Sequence, residues 1–110
     1  MIVVISSFLL RKGFNGITLW PFVILRHQAL RVDVVLMNHE RIHLRQQLEL
    51  LIIFFYIWYI VEYAYRLFQY KDRRTAYRNI SFEREAYANE NQLDYLSHRK
   101  PFSFIKYLCR

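Results

Sequence analysis

Residues 34–43 read Val34-Val35-Leu36-Met37-Asn38-His39-Glu40-Arg41-Ile42-His43, an apolar run that ends on the pattern H-E-x-x-H. In a helix, positions four apart project from one face a turn apart, so His39 and His43 can offer imidazole nitrogens to a single metal ion. Glu40 sits one step round. It is badly placed to be an equivalent third ligand and well placed to take a proton from a water that the metal polarises. The same residues also suit a plain, partly buried helix in which Glu40 pairs with a neighbour three or four positions away.

Phasing the helix at about 100° per residue favours the metal. His43 and Leu50 fall in a narrow sector beside His39. Val34, Met37, Leu44, Leu48 and Leu51 are expected to form an apolar stripe, with Arg41, Arg45 and Glu49 as the solvated strip. A histidine pair facing inward on so buried a helix needs partners, because an unsatisfied buried polar group costs about 1 to 3 kcal/mol.

The surrounding chain bounds what this helix can serve. Its 110 residues suffice for one modest core, so a single domain over 1–110 is expected. A hydrophobic content of 55% with 18% aromatic argues against disorder and predicts a partly covered surface, facing a partner, a homo-oligomer or lipid. The net charge of +7 is scattered, densest at 71–78, and no nucleic-acid motif accompanies it, so it reads as general attraction to anions. The single Cys109 excludes an intrachain disulfide framework. The apolar start, 1–10, is followed by Arg11-Lys12 and has no small-residue cleavage site, so it does not read as a signal peptide. A cytoplasmic location, or the cytoplasmic face of a membrane, is the expectation.

Two β-rich runs, 2–10 and 17–25, flank Lys12-Gly13-Phe14-Asn15-Gly16, which predicts a β-hairpin turning at the two glycines. Trp20-Pro21 implies an edge strand or a bulge, since proline cannot donate to a ladder. An edge strand beside the motif helix would offer main-chain groups to an extended peptide. From Pro21 to Pro101 there is neither glycine nor proline, which predicts helices joined by short polar turns. Breaks are expected at 70–74 and within 48–55. The second follows from geometry: a straight helix to Gln69 would carry the chain roughly 39 Å from His43 and out of reach of a later ligand. The aromatic segment Leu50 to Phe68 is a candidate membrane-associated helix, although its fully apolar part, Leu50 to Val61, is too short to span a bilayer.

Two downstream carboxylates compete for the third ligand position. Glu62 follows His43 at a spacing similar to that of the metallo-aminopeptidases, H-E-x-x-H-x18-E. Glu83 lies in Asn79-Ile80-Ser81-Phe82-Glu83-Arg84-Glu85-Ala86-Tyr87, where Phe82, Ala86 and Leu93 share an apolar stripe and Glu83, Tyr87, Glu90 and Asp94 the adjoining one. His39-Glu40-x-x-His43 followed by Glu83-x-x-Ala86 resembles the gluzincin pattern of the prenyl-protein endopeptidases, membrane heat-shock proteases and repressor-cleaving peptidases. That resemblance implies zinc on His39, His43 and Glu83, with Glu40 as catalytic base. Tyr87 stands where the group usually has Asp or Asn after the alanine. Tyr77, Tyr87, His27 and His98 are candidate donors to an oxyanion, and Gln46 and Gln47 remain unassigned.

The expectation is therefore an α+β, mostly helical, zincin-like chain: a short hairpin or edge sheet and three helical segments, with zinc between the motif helix and the Glu83 helix. Its expected function is peptide-bond hydrolysis. The alternative is a non-catalytic, membrane-associated interaction protein with a structural or vestigial metal site.

Overall fold

The computed structural model describes residues 2–8, 10 and 14–108, so Lys12-Gly13 of the expected turn, and Cys109, lie outside the described residues. The fold is α+β and mostly helical, a small three-stranded sheet followed by five helices.

The sheet departs from the expected hairpin between the two β-rich runs. The second run is itself the hairpin: β2 (Gly16–Leu19) and β3 (Phe22–Leu25) are antiparallel, with Leu19 opposite Phe22 and a cis Trp20-Pro21 bond in the two-residue turn. Proline has no N–H for a ladder, so the chain reverses there instead of bulging. β1 (Ile2–Ile5) pairs parallel to β3, giving the order β1-β3-β2. β2 is therefore an edge strand, and it lies along the motif helix. Val23 and Leu25 of the central strand are fully buried and pack with Met37.

After a 3-10 turn (Gln28–Val32), the Asp33 side chain accepts from Leu36 N at 3.0 Å and starts α1 (Val34–Glu49). The expected break follows. Leu51 and Ile52 take φ of 55° and 66°, and α2 (Ile53–Tyr70) leaves at 112° to α1. Neither residue is glycine, and left-handed backbone costs about 1 to 2 kcal/mol per such residue. Burial of Phe55 against Ile80, Phe82 and Phe104 offsets it.

The other expected break is at Lys71, φ 58°, after which Asp72 caps α3 (Arg73–Arg78) through Thr75 N. Three helical segments become five helices because distant side chains cut the last one into α3, α4 (Ser81–Asn89) and α5 (Tyr95–His98). Glu62 accepts from Ser81 N and Ser81 Oγ, both at 2.6 Å, and fixes where α4 begins. Asn38 Nδ2 donates to the carbonyls of Asn89, Glu90 and Gln92 and fixes where it ends. Leu93 lies beyond that end and is exposed, so it leaves the stripe expected with Phe82 and Ala86.

The expected apolar stripe of α1 is also corrected. Val34, Leu48 and Leu51 are exposed and only Met37 is buried; the buried face is instead Asn38, His39, Glu40, His43, Gln46 and Gln47, with Ile42. Polarity misleads here because each of those polar groups has a partner in the fold. Among the described residues no single helix is long and apolar enough to cross a membrane. α2 nevertheless keeps an exposed apolar face of Phe54, Ile57, Val61, Tyr65 and Phe68, opposite the face it buries.

Candidate metal centre

His39 and His43 project from α1 towards Glu83, which the first turn of α4 presents. His43 Nε2 lies 3.2 Å from His39 Nε2 and 3.0 Å from Glu83 Oε1, and His39 Nε2 lies 3.3 Å from the same oxygen. All three side chains are buried, and together they can hold a metal ion. Glu62 is elsewhere. Its carboxylate is taken up by Ser81, by Trp58 Nε1 at 3.1 Å and by Arg66 Nη2 at 3.4 Å, so it caps a helix and compensates a buried guanidinium.

The remaining ring nitrogens decide which atoms face the cluster. His39 Nδ1 lies 2.6 Å from Glu90 Oε1, and a carboxylate at neutral pH only accepts. His43 Nδ1 lies 2.8 Å from Gln46 Oε1. The orientation of that amide is set by its other end, since Gln46 Nε2 donates to Phe82 O at 3.1 Å and to Glu85 Oε1 at 2.8 Å. Both Nδ1 atoms therefore carry a proton, and the Nε2 atom of each ring is the one that faces Glu83.

Glu90 supplies the acidic support that Tyr87 cannot. Tyr87 packs its ring on His39 at 4.5 Å, while Glu90, one turn further, makes the hydrogen bond. The second oxygen of Glu83 accepts from Tyr59 at 2.9 Å. Burial disfavours ionised Glu83, yet the two histidines outweigh it and hold the carboxyl well below its usual range. Burial likewise opposes a charged His43, but Glu83 beside it prevails and raises the imidazole to about 9.

Glu40 stands outside this trio, on the side of β2. Thr18 Oγ1 donates to Glu40 Oε1 at 2.6 Å, so one carboxylate oxygen is held. The other is packed against Gly16, where a Cβ would come within 3.4 Å of Oε2 and 3.3 Å of Leu25 Cδ2. Gly16 and Thr18 share a face of the strand, and the missing side chain at 16 leaves Glu40 its room. Gln47, the next polar residue of the helix, donates from Nε2 to Thr18 O at 2.8 Å and accepts from Trp20 N at 2.7 Å.

A cavity of about 550 Å³ opens beside the cluster, with Glu40, His43 and Glu83 in its lining. Of the four candidate oxyanion donors, Tyr77 lines it, with its hydroxyl 3.3 Å from that of Tyr87. Burial drives the Tyr77 hydroxyl far above its usual range, so it keeps its proton. His27 is exposed, and His98 is an exposed partner of Asp94.

Sequence reasoning missed Thr18, Tyr59 and Glu90, and left Gln46 and Gln47 unassigned. The only one with a usable signal is Glu90, which falls two turns after Glu83 on the same stripe. Comparison of this chain with family models, with curated proteins and with solved structures finds no match.

Proposed function

We propose that this chain is a zinc-dependent peptidase in which His39, His43 and Glu83 hold the ion and Glu40 is the general base. The observation that carries this reading is the cluster geometry. A tetrahedral ion with bonds of about 2.0 to 2.1 Å has ligand atoms about 3.3 Å apart, and the three ligand atoms lie 3.0 to 3.3 Å from one another. Two nitrogens and one carboxylate oxygen suit zinc and leave a fourth position open, as catalytic sites require.

Bound there, zinc supplies Lewis-acid polarisation of a peptide carbonyl and lowers the pKa of water towards about 7. Glu40 does the proton work. Thr18 pins Oε1, leaving Oε2 to take the proton from the attacking water and hand it to the departing amine. Tyr77, protonated at any working pH, donates to the carbonyl oxygen as its charge grows. The outer edge of β2 at Gly16 receives the substrate backbone.

A membrane-associated role is a second reading, and one observation favours it. α2 leaves Phe54, Ile57, Val61, Tyr65 and Phe68 exposed along one face, and such a face belongs against lipid or another chain. The peptidase reading is tested with a peptide library cleaved in the presence of zinc, after chelation, and after zinc is restored. Cleavage that chelation abolishes and zinc restores is expected. Silence across a broad library by protein that holds one zinc would favour the non-catalytic role.

A further inference from the structure

Resting on the peptidase reading, we propose that the preferred substrate places a bulky apolar side chain in the cavity beside Glu83 and a carboxylate against Arg73 and Arg74. The cavity, at about 550 Å³, is within the range that holds small ligands. Its polarity is uneven. Phe55, Tyr56, Tyr59 and Tyr63 of α2 and Ile17 and Leu19 of β2 supply most of its apolar lining, and Glu40, His43 and Glu83 supply acidic and metal-ligating groups. An aliphatic or aromatic side chain entering from the cluster leaves water for an apolar wall, and a small or charged one gains nothing there.

Arg73 and Arg74 line the same cavity, are exposed, and have no ion-pair partner among the described residues. Two adjacent guanidiniums without an acid, at the rim of an apolar cavity, suit a planar carboxylate.

The strand edge explains why these contacts carry the selectivity. Asn15 O accepts from Arg26 N, so by alternation Ile17 and Leu19 face β3 while Gly16 and Thr18 turn their main-chain groups outward. Gln47 already fills the outer edge at Thr18 O and Trp20 N, like a paired residue. An incoming strand can pair along Gly16 and must then leave the edge, so its grip on the backbone is short and its side chains decide the fit.

The carboxylate can be a chain terminus or an acidic side chain, and chelating peptides separate the two. The probes are dipeptide hydroxamates carrying Phe or Gly next to the chelating group, each ending in a free carboxylate or an amide, and a Phe amide extended by Glu. Their affinity for zinc-loaded wild type and for Arg73→Gln/Arg74→Gln is compared by calorimetry. Phe is expected to bind about tenfold or more tighter than Gly, and one carboxylate-bearing Phe probe about tenfold tighter than its amide, a preference lost in the double variant. The free acid as winner names the terminus; the Glu extension names the side chain. Equal binding of Phe and Gly, or an unchanged carboxylate preference in the double variant, overturns the proposal. Selective binding without cleavage of any matching peptide would leave the subsite standing and overturn the peptidase reading, whereas indiscriminate cleavage would do the reverse.

Discussion

The carboxylate of Glu90 accepts from His39 Nδ1 at 2.6 Å, across fifty-one positions of chain. It can do so because Asn38, the neighbour of His39, holds the carbonyls at the end of α4 from which Glu90 projects. The first histidine is thus oriented by a helix end that its own neighbour secures. Loss of such outer support typically weakens a metal site about 10- to 100-fold. Glu90→Gln is expected to lower zinc affinity by that factor in a competition titration with a fluorescent chelator. Tyr87→Phe, which keeps the ring on His39, is expected to leave the affinity unchanged.

The two competing glutamates separate cleanly by experiment. Glu83→Gln is expected to lose zinc while the chain stays folded, since it removes a ligand. Glu62→Gln is expected to keep one zinc per chain and to lose about 1 to 3 kcal/mol of stability, because Arg66 and Ser81 lose a charged partner. Elemental analysis and urea unfolding on the same preparations check both outcomes. Zinc released only by Glu62→Gln would contradict the assignment.

How much of this the chain disclosed follows from the range of the interactions. The His39, Glu40, His43 motif is local, three residues within five positions of one helix, and Glu83 was set apart from Glu62 only by the resemblance of Glu83-x-x-Ala86 to the gluzincin pattern. The bend after Glu49 was legible as a necessity, although Leu51 and Ile52 give no sign of positive φ. What escaped is set by tertiary contacts. The bounds of α4 depend on Glu62 and Asn38, neither of which is near them in sequence. The run 17–25 looked like one strand because its apolar residues continue across Trp20-Pro21. α1 was mis-phased because Gln46 and Gln47 count as solvated on any hydropathy scale, yet both are fully buried as clamps to α4 and β2.

Acid is expected to loosen the C-terminal segment. Burial pushes the Glu85 carboxyl up, but Arg99, Tyr95 and Gln46 outweigh it and the net shift is downward. A carboxyl lowered by folding adds stability that is present above its unfolded value, 4.5, and is lost as pH falls below it. The melting temperature should therefore drop between neutral pH and pH of about 3 in wild type. In Glu85→Gln it should begin lower and fall less steeply. Parallel curves for the two proteins would contradict this role for Glu85.

The outer face of α2 predicts lipid binding independent of the metal site. Ile57 and Val61 are 54% and 63% exposed, so Ile57→Lys/Val61→Lys should fold, keep its zinc and lose sedimentation with phosphatidylcholine vesicles. Wild-type binding should withstand a high-salt wash, since apolar burial is not screened. Release by salt, or binding only to vesicles containing anionic lipid, would assign the attraction to the net charge of +7 instead.

The central claim is that Glu40 is a base and not a ligand. Its carboxylate is held by Thr18 at 2.6 Å, outside the trio formed by His39, His43 and Glu83. The most direct measurement compares zinc content and peptide cleavage in wild type and Glu40→Gln. An amide can neither accept the proton of the attacking water nor return it to the amine, so the variant should hold one zinc per chain and lose hydrolysis by about 10²-fold or more. Cleavage undiminished in Glu40→Gln, or zinc lost along with the carboxylate, would contradict the account.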